Sequence, residues 1–145
     1  MIIRTLKEED IKAVIILAEE SEGLTAERPS IYWFLWKFFR NTCFVAEENG
    51  DIVGILLGFM DQVENKTGFI HELGVSKKFR SKGIASALIE KFERAIKQLG
   101  GNKICLTTLA NNTNAVRFYE NRNFNEKTEI LKVGEKRIQF CKKIA

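Results

Sequence analysis

A strand, a basic turn, a long amphipathic helix and a second strand follow one another between Gly68 and Leu109, and this run limits the fold more than any other part of the chain. Gly68–Val75 reads as the first strand. Gly83–Leu99 places Ile84, Leu88, Ile89, Phe92, Ala95, Ile96 and Leu99 at helical spacing, which gives a helix with one apolar face. Glu90–Arg94 and Glu93–Lys97 are favourable i,i+4 pairs, and Gly100 is a natural residue to end the helix. Lys103–Leu109 reads as the second strand. A strand–helix–strand unit of this kind implies a parallel pair joined by a right-handed crossover.

The rest of the chain fits around that unit. Ile2–Leu6 reads as a short strand, and Glu8–Glu20 as a helix with Ile11, Val14, Ile15 and Ala18 on one face. Ser21–Pro29 is a polar loop. Ser30–Asn41 is a second helix, rich in aromatics and apolar on more than one side, so it is either deeply packed or partly exposed as a binding lip. Thr42–Glu47 and Asp51–Met60 are strands around Asn49-Gly50, a strong hairpin signal because both residues accept positive φ. A turn near Glu64-Asn65-Lys66 leads into Gly68–Val75, so the first half is an antiparallel meander. Thr113–Asn121 is a short helix, and Phe124–Val133 and Lys136–Ile144 form a final hairpin around Gly134. The class is α+β, a mixed sheet with helices on both faces in the order β-α-α-β-β-β-α-β-α-β-β. A chain of 145 residues with 45% hydrophobic content, no linker and no repeat is expected to form a single domain over 1–145.

Charge and cysteine content narrow the function. The net charge is +4, and its densest run is Lys77-Lys78-Phe79-Arg80-Ser81-Lys82. Such a run is a solvated loop or a site for an anion such as a nucleotide phosphate. Nucleic-acid binding would need a wider basic face with stacking aromatics, so none is expected. Cys43, Cys105 and Cys141 are odd in number, form no C-x-x-C and sit in apolar runs, so they read as small buried thiols suited to a reducing cytoplasm. A single His and no acidic cluster at ligand spacing argue against a metal. The N-terminus does not resemble a signal peptide, and the apolar windows Ile31–Phe39 and Ile52–Met60 are too short to span a membrane. A cytoplasmic location with no membrane association is the expectation.

The turn before the long helix carries the chemistry. A helix N-terminus leaves backbone N–H groups without partners and holds a partial positive charge. A pyrophosphate satisfies those donors if the backbone lets it approach. Gly83 and Ala85 keep the approach open, and Arg80 and Lys82 add charge. The spacing is neither that of a Walker loop nor that of the Rossmann fingerprint. By itself a basic turn before a helix is common.

Two segments together are more specific. Arg80-x-x-Gly83-x-Ala85 resembles the [Q/R]-x-x-G-x-[G/A] signature of the GNAT acyl-CoA N-acyltransferases. Leu73-Gly74-Val75-Ser76-Lys77-Lys78-Phe79 is similar to the strand end and loop that precede it there. Asn112 to Phe124 is similar to that family's N-x-x-A-x-x-[F/L]-Y-x-x-x-G-F segment, with Asn123 in place of the usual Gly. Asn tolerates the left-handed backbone that a helix end asks for there. The element order also matches, so the resemblance covers nearly the whole chain. It implies acetyl-CoA as co-substrate and a primary amine, on a small molecule or a protein, as acceptor. It also implies that the amides of Arg80, Ser81, Lys82, Gly83, Ile84 and Ala85 hold the CoA pyrophosphate. Leu73 and Val75 would pair with the pantetheine arm as an added strand would, and Asn112 and Tyr119 would meet the arm from the other side. The arm would lie in a gap between the strand ends at Val75 and Leu109, opened by a bulge at Gly74. Many relatives pair as homodimers, and the terminal hairpin offers a sheet edge for this.

Aminolysis of a thioester needs a neutral amine, donors for the oxyanion and a proton for the leaving thiolate. An alkyl ammonium has a pKa of roughly 10, so a base is required. Glu72 is the candidate base, on a strand beside the reacting carbonyl; its neighbour His71 and water are the alternatives. Adjacent strand residues face opposite ways, so only one of the two should point at the site. The Val75 N–H is the candidate oxyanion donor. Tyr119 occupies the family's acid position; without the resemblance it would read as a core residue beside Phe118. On the acceptor side, Glu19, Glu20 and Glu22 read as a solvated helix end that could attract a cationic amine. Trp33 and Trp36 read as core or as an acceptor wall. The run Thr42–Glu47 is faintly similar to the diaminobutyrate acetyltransferases, which usually carry Gln where this chain has Glu72. A non-catalytic acyl-CoA-binding sensor of the same fold is the alternative function.

Overall fold

The computed structural model describes residues 1–21, 26–132 and 134–144. The strands are β1 (Ile2–Thr5), β2 (Cys43–Glu48), β3 (Asp51–Met60), β4 (Thr67–Val75), β5 (Lys103–Leu109), β6 (Glu126–Lys132) and β7 (Glu135–Lys143). The α-helices are α1 (Ile11–Glu20), α2 (Pro29–Phe39), α3 (Ile84–Gln98) and α4 (Thr113–Glu120). Short 3-10 turns, Glu8–Asp10 and Arg40–Thr42, extend the ends of α1 and α2 where the sequence suggests one longer helix each.

All the strands join one sheet in the order β1-β2-β3-β4-β5-β7-β6. The meander β1 to β4 is antiparallel, as the Asn49-Gly50 turn requires; both turn residues have positive φ, 51° and 85°. β4 and β5 are parallel and α3 is the crossover between them. α3 packs its apolar face on one side of the sheet, where Leu88, Phe92 and Ile96 are fully buried. α1 and α2 cover the other side over Val45, Ile55 and Leu57. Strand alternation divides β3 between the two cores, Leu56 facing α3 and Leu57 facing α2.

Three glycines set how closely α3 can lie. A Cβ on Gly54 would meet Ile84 at 2.9 Å, one on Gly68 would meet Ile96 at 2.5 Å, and one on Gly58 would meet Phe92 at 2.7 Å. At Gly58 it would also meet the Phe69 carbonyl oxygen at 2.5 Å, a backbone atom that cannot swing away.

The cysteines depart from expectation. Cys105 and Cys141 form a disulfide, and only Cys43 is a buried free thiol. The two lie directly opposite one another in the antiparallel β5–β7 ladder, with Cα atoms 4.2 Å apart. Close opposed pairs of that kind occur where two antiparallel residues share no backbone hydrogen bonds. A separation of 36 residues hides the contact until the register is known. The cysteines therefore do not argue for a reducing compartment. No helix among the described residues is long and apolar enough to cross a membrane.

Gly58→Ala should cost about 1–3 kcal/mol, since the methyl group can be fitted only by moving backbone or the Phe92 ring. Urea unfolding checks this, and an unchanged midpoint would mean that α3 is free to shift outward.

Candidate active site

The parallel ladder between β4 and β5 is short. It runs from Thr67–Lys103 to Ile70–Leu106 and then stops. Beyond it β4 continues through Val75 and β5 through Leu109 without pairing to each other, which opens a V-shaped gap in the sheet. A β-bulge lies at the point of divergence. Leu57 pairs with Glu72 while Gly58 pairs with Ile70, so β4 carries one extra residue, His71. Gly74, the expected bulge position, instead pairs regularly with Ile55.

The bulge also overturns the expectation that His71 and Glu72, as adjacent strand residues, face opposite ways. An extra residue breaks the alternation of side chains, and both residues turn toward α2. The Tyr32 hydroxyl donates to Glu72, with its oxygen 3.2 and 3.3 Å from the two carboxylate oxygens. His71 Nε2 lies 3.3 Å from Glu27 Oε1, and the backbone N–H of Glu27 donates to the Tyr32 hydroxyl. Glu27, His71 and Glu72 thus come within 4.8 Å of one another, a grouping that linear spacing does not reveal. Glu72 is 4% exposed, and burial raises its pKa from 4.5 to about 7; the Tyr32 hydrogen bond pulls it down and the Glu27 charge pushes it further up.

On the other side of the gap the turn 80–83 leads into α3. Ser81 and Gly83 are both left-handed, with φ of 63° and 79°. No side chain caps α3, so its first N–H groups have no side-chain acceptor. Arg80 Nε donates to the Val75 carbonyl at 3.3 Å and ties the turn to the strand end. Lys82 holds its ammonium over the Phe79 ring, 5.2 Å from the centroid. α4 begins at Asn112, whose side-chain oxygen accepts from the Ala115 amide at 3.2 Å. Asn123 has φ 68°, the left-handed conformation expected of it.

These elements enclose a cleft of about 490 Å³. Of the residues singled out from sequence, Leu73, Val75, Arg80, Ser81, Gly83, Ile84, Ala85, Asn112 and Tyr119 line it. Lys82 and Glu72 do not. Tyr119 is 9% exposed and stands edge-on to Phe118 and Phe124. Burial pushes its phenol up to about 12, and the Arg122 charge pulls the other way. The sequence reading missed Tyr32, Ser86 and Arg122. Tyr32 shares the buried stripe of α2 with Leu35, three residues on, and that spacing was the available signal. Trp33 packs against Phe34, Trp36 and Phe38 on the outer surface of α2 and is 38% exposed, so it forms neither core nor an enclosed wall. Glu19 and Glu20 are exposed at the end of α1, and Glu22 lies outside the described residues.

A sheet split beside an uncapped helix N-terminus, with a tyrosine in the split, agrees with what the chain is similar to. Residues 9–124 match the profile of the Acetyltransferase (GNAT) family, and the chain belongs to that family. An uncharacterised N-acetyltransferase of Methanocaldococcus jannaschii is 33% identical over 150 residues, spanning 99% of this chain and 92% of that protein. An acetyltransferase of Pectobacterium atrosepticum is 31% identical over 141 residues, spanning 96% and 97%. The fold is that of diaminobutyrate acetyltransferase from Paenibacillus lautus, solved with L-2,4-diaminobutyric acid and coenzyme A. That match has a TM-score of 0.81 at 23% identity and covers 96% of this chain and 93% of that one.

The buried Glu72 carboxyl gives a stability prediction. Its pKa is higher folded than unfolded, so folding takes up a proton between pH 4.5 and about 7, and stability falls as pH rises through that window. Glu72→Gln keeps an acceptor for Tyr32 and removes the titration. Its stability relative to the parent should rise by about 3 kcal/mol between pH 4 and pH 8. Parallel pH profiles in denaturant titrations would show that Glu72 is charged at no cost.

Proposed function

We propose that the chain moves an acetyl group from acetyl-CoA to a primary amine by direct attack on the thioester, as one catalytic domain over 1–145. The observation that carries this reading is the cleft itself. It joins uncapped amide donors at α3, an unpaired edge of β4 and the Tyr119 side chain in one continuous space. The amides from Arg80 to Ala85 take the pyrophosphate, where the helix charge favours it. The free edge of β4 at Leu73 and Val75 pairs with the amides of the pantetheine arm, and Asn112 bounds the arm opposite. The Val75 N–H stabilises the oxyanion.

Glu72 takes the amine proton. A carboxylate with a pKa of about 7 is a better proton acceptor than an ordinary one and is still half ionised at neutral pH. It does not line the cleft, so it acts through a water or after the acceptor has entered from the α1–α2 side. Tyr119 gives its proton to the leaving thiolate. No metal takes part. The Glu27, His71 and Glu72 cluster favours a cationic acceptor, and diamines and basic amino acids head the screen. The free edge of β6, where Leu131 is 86% exposed, is the surface offered to a second copy, and a monomeric mass in light scattering would remove that part. The proposed compartment is the cytoplasm, where the Cys105–Cys141 bridge would be subject to reduction; thiol trapping in cells reads its state.

Gly83→Glu tests the phosphate site. Nothing lies within 4 Å of a Cβ built at Gly83, so the side chain meets open space and the fold should survive the left-handed backbone at a cost of about 1–2 kcal/mol. Acetyl-CoA binding should be lost in calorimetry, because a carboxylate then stands where the pyrophosphate belongs. Unchanged affinity in a folded variant would move the phosphates elsewhere.

Tyr119→Phe separates an enzyme from a non-catalytic acyl-CoA sensor. It keeps the ring against Phe118 and Phe124 and removes only the hydroxyl. Acetyl-CoA affinity should hardly change, while kcat falls by roughly 10²–10⁴-fold and KM stays near its value. Full turnover would take Tyr119 out of the reaction.

A further inference from the structure

A buried phenol can act as an acid only if the charge it leaves behind is tolerated. Tyr119 is surrounded by Phe118, Phe124 and Phe140, none of which can stabilise a phenolate. Arg122, three residues on, lines the same cleft. The N–H groups of Arg122 and Phe124 both donate to the Tyr119 carbonyl, at 3.1 and 3.2 Å, so the turn after α4 fixes Arg122 to the tyrosine backbone. The Arg122 side chain then reaches back toward α3. Its Nε donates to Ser86 Oγ at 2.9 Å, and Nη1 donates to the Phe118 carbonyl at 3.3 Å. The guanidinium lies over the Phe118 ring, 3.6 Å from its centroid.

Every one of these partners is neutral. Arg122 forms no ion pair among the described residues, whereas Arg4 and Arg137 do. It lines the same cleft as Tyr119, so a fixed positive charge faces the space where negative charge must develop. The same cation is the charge that opposes the effect of burial on the Tyr119 phenol.

We propose that Arg122 is the electrostatic partner of Tyr119, holding the negative charge that reaches the phenol oxygen when the leaving CoA thiolate takes the Tyr119 proton. The proposal rests on the reading of Tyr119 as the acid. In that step the carbon–sulfur bond breaks, its electron pair stays on sulfur, and sulfur takes the hydroxyl proton. The proton released from the amine returns to the phenolate through solvent, so the cycle closes without a co-reactant. Arg122 acts through Tyr119 and is a positioning residue.

The test follows the phenol directly. Both tyrosines are replaced by 3,5-difluorotyrosine, whose phenol titrates well below that of tyrosine, and 19F NMR follows the titration. Tyr119→Phe identifies the Tyr119 signal, since the chain has only one other tyrosine. Arg122→Leu should raise the Tyr119 titration midpoint by about one pH unit or more, the usual size of a lost neighbouring charge. Arg122→Lys should restore most of it. Acetyl-CoA affinity by calorimetry should change by less than about threefold, and kcat should fall by about ten- to a hundredfold. If Arg122→Leu does not fold, Arg122→Gln keeps hydrogen-bonding groups and gives the same comparison. An unmoved midpoint overturns the proposal. So does a Lys variant that behaves like Leu, which would make Arg122 a tether between α3 and α4. An affinity loss with an unmoved midpoint would make it a cofactor contact. Full turnover in Tyr119→Phe would instead sink the acid reading, and the titration would still report whether the two side chains interact.

Discussion

Past Ile70 and Leu106 the parallel ladder ends, and the cleft exists because of that break. A strand in mid-sheet normally has both its edges paired, since an unpaired buried amide costs about as much as a lost hydrogen bond. From Glu72 to Val75, β4 keeps its pairing to β3 and has none to β5. The stretch is therefore a half-finished sheet inside a finished one. In the proposed reading an extended ligand carrying amides would complete it, and the affinity gained would be the pairing that the protein forgoes. The bulge at His71 holds the break in place. It bends β4 away from β5, and Gly58 opposite supplies the room, because any Cβ there would strike the Phe69 carbonyl.

The same bulge sorts the ionisable groups. On the cleft side the environment is positive: uncapped helix amides, Arg80 and Arg122. On the α1–α2 side it is acidic, with Glu27 and Glu72 beside His71. An anionic cofactor suits the first side, and the proposed cationic acceptor suits the second. The two charges would then not compete for one surface. A regular strand would send His71 and Glu72 to different faces, and this separation would be lost.

Most of the fold was legible in the sequence because it depends on local signals. Asn49-Gly50 fixed one hairpin, Gly100 ended α3, and the apolar stripe from Ile84 to Ile96 defined the crossover. The turn before α3 was legible for the same reason, since its residues are contiguous. What escaped notice depends on register. The Cys105–Cys141 bridge needs the β5–β7 alignment, and the bulge at His71 needs the β3–β4 alignment. Gly74 drew attention as a glycine in a strand, yet the extra residue is a histidine, since a bulge need not contain glycine. Tyr32 was obscured because α2 is apolar all round, so its buried stripe did not stand out among the exposed Trp33, Phe34 and Phe38.

The two tyrosines show why burial alone does not assign a role. Both are buried and both have phenols raised well above 10. Tyr32 points into a carboxylate, so ionising it would place two negative charges together, and it can serve only as a hydrogen-bond donor to Glu72. Tyr119 shares an open cleft with Arg122, so in the proposed reaction its ionised form would have a counter-charge and its proton would have somewhere to go. The difference lies in the sign of the neighbouring charge, and that sign is set by where two turns place their side chains. One is the bulge that turns Glu72 toward α2. The other is the left-handed Asn123 that closes α4 and leaves Arg122 on the cleft wall.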